Sequence, residues 1–200
     1  MNPKTGEILA MATRPTFDPN RLNEFDVTRR RNRTITDIFE PGSVFKMVTV
    51  AVALNEGKVT VHDVFDCEQG EWRVRPRRVI HDVHPYGRLT LPEVLIKSSN
   101  IGTVKVGMRL GERVLYRYIK AFGFGEKTGI DFPGEVNGIL RPPEKWSKIS
   151  ITSIPFGQEV AATAIQMVRA IAVIANGGYL VKPYLLQEIQ DAEGATISKK

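Results

Sequence analysis

Ser43 and Lys46 stand three residues apart in Pro41-Gly42-Ser43-Val44-Phe45-Lys46, and this pair is where chemistry is first expected. The stretch after Ser43 runs without a breaker to Leu54, so it reads as a helix with Ser43 as N-cap and Gly57 as its stop. On a helix, residues three apart share a face. Serine is a weak nucleophile until a base removes its proton. A lysine among apolar neighbours can be that base, because burial disfavours its charged form. A helix N-terminus also favours a developing oxyanion. Taken alone, the pair has a second reading, in which Ser43 only caps the helix and Lys46 points to solvent.

A second group follows at Ser98-Ser99-Asn100. A hydroxyl and a carboxamide two apart at a helix end can face one cleft. Ser98 can relay a proton to a leaving group, and Asn100 can hold a lysine or a substrate amide. The alternative is an ordinary polar turn. Ser-x-x-Lys with a later Ser-x-Asn makes two parts of a three-part acyl-transfer set, whose third part is Lys-Thr-Gly on a strand. That string occurs at Lys4-Thr5-Gly6 and at Lys127-Thr128-Gly129. Neither is read as the third part. The first precedes the serine and lies in a turn, and the second lies among Gly123-Phe124-Gly125 and Pro133-Gly134, in a loop.

The elements that must carry these residues are legible in outline. Glu7–Ala12 reads as a short strand after a turn, and residues 13–34 as polar loop. Residues 58–89 alternate short apolar runs with charges, as strands or an excursion. Thr90-Leu91-Pro92-Glu93 is a capping box opening a helix through Lys97. Further helices are expected at Gly102–Leu110, Glu112–Phe122 and Thr163–Ala175, the last closed by Asn176-Gly177-Gly178. Residues 123–145 read as loop, Tyr184–Gln190 as a strand, and Ala195–Ser198 as the start of another. Helices in the middle and strands at the ends imply an α+β fold.

Composition excludes several classes. Of 200 residues, 42% are hydrophobic and 25% charged, which rules out a disordered tail or a disulfide scaffold. The net charge of +6 is mild, and the runs Arg29-Arg30-Arg31-Asn32-Arg33 and Arg73 to Arg78 read as solvated faces, so no nucleic acid partner is expected. Cys67 stands alone and forms no internal disulfide. His81, His84 and His62 have metal-like spacing without a supporting cluster, so neither a metal nor a cofactor is expected. Trp72 and Trp146 read as packing residues. The uncharged stretch Ala170–Val181 is too short to span a bilayer.

The whole set of strings resembles a known family. Lys4-Thr5-Gly6-Glu7-Ile8-Leu9-Ala10, Glu40-Pro41-Gly42-Ser43 through Lys46, Ser98-Ser99-Asn100, Gly123-Phe124-Gly125, Thr128-Gly129-Ile130-Asp131, Pro133-Gly134-Glu135 and Phe156-Gly157-Gln158 lie in sequence order. Thr163 with Gln166 and Ala175-Asn176-Gly177-Gly178 complete it. The chain is similar to the transpeptidase domain of class B penicillin-binding proteins, nearest the division or sporulation type. The resemblance implies a penicillin-binding-protein/β-lactamase-like fold, with a helical subdomain and an antiparallel sheet built from N- and C-terminal strands. It implies residues 1–200 as a partial domain, lacking the first strand and the strand carrying the functional Lys-Thr-Gly.

By the same resemblance the activity is D,D-transpeptidation of peptidoglycan stem peptides ending in D-Ala-D-Ala. Ser43 is then the nucleophile and Lys46 the base, while Ser98 and Asn100 complete the proton path and hold substrate. β-Lactam antibiotics acylate the same serine. A membrane glycosyltransferase and division proteins are the implied partners, and the outer face of the cytoplasmic membrane is the implied location. The chain alone is expected to be weakly active or inactive. Rival readings are a serine β-lactamase, a β-lactam sensor domain and a non-catalytic division scaffold. The Gly123–Glu135 and Gly157-Gln158 segments favour the transpeptidase over the first.

Overall fold

The computed structural model describes residues 1–199. Along the chain its α-helices are α1 (Arg33–Thr36), α2 (Lys46–Asn55), α3 (Leu91–Ile96), α4 (Asn100–Leu110), α5 (Glu112–Ala121) and α6 (Ala164–Ala175). Its strands are β1 (Val64–Asp66), β2 (Glu71–Arg75), β3 (Arg78–His81), β4 (Arg88–Thr90), β5 (Glu188–Gln190) and β6 (Thr196–Lys199). They pair antiparallel as β1–β4, β2–β3 and β5–β6. The fold is mixed α+β, as expected, but among the described residues its strands form small two-stranded sheets rather than one antiparallel sheet of N- and C-terminal strands. Contacts divide the chain into two compact units.

One unit comprises Phe39–Ala121 and Ile139–Ala161. Its centre is α2 packed on α4. The apolar run of α2 buries Val48, Val50, Val52 and Ala53. The helix stops where expected: Gly57 takes a positive φ of 62°, and Lys58 N–H reaches back to Ala53 O at 2.9 Å. At α3 the capping box forms, with the Glu93 carboxylate accepting the Thr90 N–H at 2.8 Å. A Cβ on Gly102 would lie 2.6 Å from Val94 Cγ2, so glycine there permits the close approach of α4 to α3. The stretch 58–89 becomes two strand pairs, β1–β4 and the β2–β3 hairpin.

Two boundaries differ from expectation. Ser43 is not an N-cap. It lies inside a 3-10 turn, Gly42–Phe45, capped by Pro41 without a side-chain bond, and α2 begins only at Lys46. The cause is the tight bond from Lys46 N–H to Ser43 O, which closes a turn of i to i+3 spacing. Helix α4 begins at Asn100 rather than Gly102, because Ser99 Oγ accepts the Gly102 N–H at 2.9 Å and caps it from one residue upstream.

The other unit comprises Met1–Ile38, Phe122–Gly138 and the chain from Ala162 onward. Its core gathers Ile35, Ile130 and Ile165, with Ile8 and Met11 against them. Helix α6 is opened by a capping box in which Thr163 N–H donates to Gln166 Oε1 at 2.8 Å. Gln166 Nε2 also donates to the carbonyls of Glu126 and Asn137, tying the glycine-rich loop to α6.

The strands expected at Glu7–Ala12 and Tyr184–Gln190 shrink to one parallel bridge between Glu7 and Tyr184, and β5 starts only at Glu188. Asp131 accounts for part of this. Its carboxylate accepts the N–H groups of Leu185 and Leu186 at 2.7 and 3.0 Å, which removes those donors from any ladder. Three arginines of the first basic run are held locally, Arg31 and Arg33 on Asp37 and Arg30 on the carbonyls of Leu22 and Phe25.

Candidate active site

Ser43, Lys46, Ser98 and Asn100 all lie in the unit built on α2 and α4. Ser43 is exposed, whereas Lys46 is only 1% exposed. Both belong to the same turn, whose i to i+3 spacing stacks their side chains on one side.

The turn is fixed from behind by Phe156-Gly157-Gln158. Gly42 N–H donates to Gly157 O at 3.1 Å, and Glu159 N–H donates to Glu40 Oε1 at 2.8 Å. Gly157 has a φ of 83°, and a Cβ there would sit 2.3 Å from Gly42 O. Only glycine permits that approach without moving the serine turn.

The Lys46 ammonium donates to Ser98 at two atoms, the carbonyl oxygen at 2.5 Å and Oγ at 2.9 Å. Burial pulls its pKa down from 10.5 to about 8, and the Asp82 carboxylate opposes that pull. Roughly a tenth of the molecules then hold a neutral amine at pH 7. A neutral amine at this position can take a proton from a hydroxyl, and Ser98 Oγ can pass one on.

Ser98 occupies an unusual backbone position. Its N–H bonds to Leu95 O at 3.0 Å and the Ser99 N–H bonds to Val94 O at 2.9 Å, which together end α3 in a Schellman motif. Ser98 sits at the left-handed position of that motif, with φ of 53°. Glycine is the usual occupant, and another residue there costs about 1 kcal/mol. Serine in this place presents its carbonyl and hydroxyl together to one ammonium.

Of the two partners expected for Asn100, a lysine or a substrate amide, the structure tests the first. Asn100 does not hold the lysine. Its Nδ2 donates to His81 O at 2.8 Å, and Lys46 is held by Ser98 alone of the two. The reason is its place as the first residue of α4, directly beside the end of β3. Neither Lys-Thr-Gly string lies on a strand. In the second, the Glu135 carboxylate accepts from Thr128 N–H, Thr128 Oγ and Gly129 N–H, so the string is spent on closing its own loop.

Comparison with known proteins gives the family. Residues 1–200 match the penicillin binding protein transpeptidase domain along their whole length. The chain belongs to that family. Its relatives place it in the class B branch. It is 41% identical over 203 residues to stage V sporulation protein D of Bacillus subtilis, covering 100% of this chain and 31% of that protein. It is 37% identical over 174 residues to the peptidoglycan D,D-transpeptidase FtsI of Escherichia coli, covering 87% of this chain and 29% of that one.

Among solved structures, penicillin-binding protein 3 of Mycobacterium tuberculosis in complex with aztreonam superposes with a TM-score of 0.88 at 31% identity. That match covers 100% of this chain and 45% of the other. The transpeptidase domain of Burkholderia pseudomallei penicillin-binding protein 3 gives 0.82 at 30% identity, over 100% of this chain and 55% of the other. The chain spans about a third of the length of the curated relatives it matches.

The Ser98-Ser99-Asn100 string thus begins on a left-handed corner, a conformation that local sequence does not mark. Ser98→Gly and Ser98→Ala separate its two roles. Both lose the hydroxyl on Lys46, so both are expected to acylate about 100-fold more slowly. Ser98→Gly also relieves the left-handed backbone, so it is expected to be about 1 kcal/mol more stable than Ser98→Ala in urea denaturation. Equal stability of the two variants would show that the corner is unstrained.

Two acidic residues have roles that the sequence reading did not assign. Asp82 lies within the histidine string considered for metal, yet its carboxylate binds the N-terminus of α4. Glu135, quoted above only within the family strings, closes the loop of the second Lys-Thr-Gly. Acidic residues in polar loops carry no periodic signal, so neither role was legible. Trp72 and Trp146 do act as packing residues: Lys105 lies 4.7 Å from the Trp72 ring centroid, and Trp146 meets Tyr116 edge-on at 6.4 Å.

Proposed function

We propose that this chain is the acylation-site portion of a peptidoglycan D,D-transpeptidase. Neutral Lys46 takes the Ser43 proton as Oγ attacks the carbonyl of the penultimate D-Ala of a stem peptide. The tetrahedral intermediate collapses, the C–N bond breaks, and the terminal D-Ala leaves after receiving a proton relayed through Ser98 Oγ. The amine of a neighbouring stem then attacks the acyl-enzyme, which forms the cross-link and returns the proton to Ser43. Asn100 borders the substrate site. β-Lactams follow the first half of this path and acylate Ser43.

The observation that carries the reading is Lys46: a nearly fully buried ammonium, lowered to about 8, on the same turn as an exposed serine and against a second serine hydroxyl. Neither Lys-Thr-Gly lies on a strand, so we assign substrate-carboxylate binding and part of the oxyanion hole to residues outside this chain. The chain is thus a partial domain of low intrinsic activity. The parent acts in the cell envelope, on the outer face of the cytoplasmic membrane, with a glycosyltransferase and division proteins as partners. No helix of the described residues is long and apolar enough to cross a membrane.

The test is covalent. Full-length polypeptide is incubated with a fluorescent penicillin, digested, and the adduct mapped by mass spectrometry. The adduct is expected on the peptide holding Ser43; an adduct on another residue overturns the assignment. The pH dependence follows from the same base. Only unprotonated Lys46 accepts a proton, so the acylation rate is expected to rise with pH and reach half its maximum near pH 8. Acylation rates from pH 5.5 to 10 (roughly one pH unit per tenfold change in amine fraction) check this. A rate that falls across that range would remove Lys46 as the base.

A further inference from the structure

We propose that Asp82 is a positioning residue of this site, holding the Ser98–Asn100 corner so that Ser98 stays on Lys46. The inference rests on the reading of Lys46 as base. Asp82 follows directly on β3, on a different segment from every other residue of the site. Its Oδ1 accepts the N–H groups of Asn100 at 2.5 Å and Ile101 at 3.0 Å, and its Oδ2 accepts the Ser99 hydroxyl at 2.6 Å. The preceding residue adds His81 O, which accepts from Asn100 Nδ2.

These bonds account for the opening of α4. The amides of Asn100 and Ile101 go to Asp82, that of Gly102 goes to Ser99 Oγ, and that of Thr103 goes to Ser99 O. One carboxylate therefore supplies the charge that the N-terminus of an 11-residue helix favours. It also fixes Ser99, which is fully buried. Ser98 is covalently next to Ser99 and holds Lys46 through both its carbonyl and its hydroxyl. A left-handed serine has few other wells to occupy, so its two acceptors move only if the corner moves. Loss of Asp82 releases the corner.

Asp82 has an electrostatic part as well. Among the described residues, the charged and titratable groups around the corner include Lys46 from α2, Cys67 and Glu68 from the turn after β1, His81 and Asp82 from the end of β3, Lys97 beside Ser98, and Lys105 from α4. The Lys105 ammonium is paired with Glu68. The Cys67 thiol is pushed up by burial, so it stays protonated. Asp82 is thus the anion that favours the charged form of Lys46 and limits how far burial lowers its proton affinity.

The experiment uses Asp82→Asn and Asp82→Ala in the full-length polypeptide, with penicillin acylation followed across pH. Both variants are expected to acylate about 10- to 100-fold more slowly at their plateau, as displacement of a positioned group by an ångström does. In Asp82→Asn the midpoint of the pH profile is expected to move to lower pH, because an anion facing Lys46 is gone. A helix cap without influence on the site would lower the melting temperature and leave the midpoint in place. Asp82→Asn keeps one oxygen acceptor and the residue's size, so it carries the test if Asp82→Ala does not fold.

The Lys46 titration is also followed by carbon-13 NMR at its Cε, which needs no acylation. A midpoint unchanged in Asp82→Asn, or a plateau rate equal to the parent's, overturns the proposal. Penicillin attachment away from Ser43 in the parent would instead overturn the functional reading, and the NMR result would still decide the role of Asp82.

Discussion

Ser43→Ala is expected to lower penicillin acylation of the full-length polypeptide by about 10⁴-fold or more, as loss of the nucleophile does in other serine acyl-transfer enzymes. The size follows from chemistry: alanine offers no atom to form the ester, and whatever turnover remains must use water. The structural cost is small. Ser43 is exposed, and the turn that holds it is capped by Pro41 without a side-chain bond. Unfolding free energy is therefore expected to change by no more than about 0.5 kcal/mol. Labelling kinetics and urea denaturation of the same preparation check both halves. Labelling that survives the substitution would place the nucleophile elsewhere. A loss of labelling together with a large loss of stability would point to a folding defect.

Lys46→Met carries the second large effect, and its two halves have opposite signs. Acylation is expected to fall by about 10²- to 10⁴-fold, the usual contribution of a general base, and the rise in rate around pH 8 should disappear. Stability is expected to hold or to increase by about 1 kcal/mol. Lys46 is 1% exposed, and at neutral pH most molecules hold it charged there against a desolvation cost. Methionine has similar length and removes that cost.

The usual penalty for breaking a buried charge pair, about 3 to 5 kcal/mol, arises when the partner is left alone. Here Asp82 keeps three donors from Ser99, Asn100 and Ile101. Ser98 does lose its ammonium partner, which limits the gain. Linkage gives the same sign. The folded pKa lies below the unfolded one, so the lysine's stability penalty is full below about pH 8 and is relieved as pH rises towards 10.5. Methionine carries no such penalty, so the variant's advantage should shrink between those values. A variant several kcal/mol less stable than the parent would make Lys46 a structural ion partner.

The helices were legible because their determinants are local. Thr90 and Glu93 cap α3, Thr163 and Gln166 cap α6, and Gly57 ends α2, each through bonds spanning a few residues. The terminal strands were not. The runs at Glu7–Ala12 and Tyr184–Gln190 have strand composition, but a strand needs free donors along its length. Asp131, some fifty positions away, takes the donors of Leu185 and Leu186. Nothing in the local sequence marks that capture.

The site divides along the same line. Residue types and spacing alone determined the nucleophile and base candidates, because Ser43 and Lys46 lie one turn apart and any helical turn brings such a pair to one side. That Ser98 and Asn100 belong with them was implied by the family resemblance. Tertiary structure decided the rest: that Lys46 lies in the interior with a lowered pKa, that Ser98 rather than Asn100 receives it, that Gly157 must lack a side chain behind the serine turn, and that Asp82 anchors the corner. Each of these joins residues separated by 17 to 115 positions. Proton affinity depends on which atoms surround the amine in space, and that is set by how α2, α4 and the end of β3 pack.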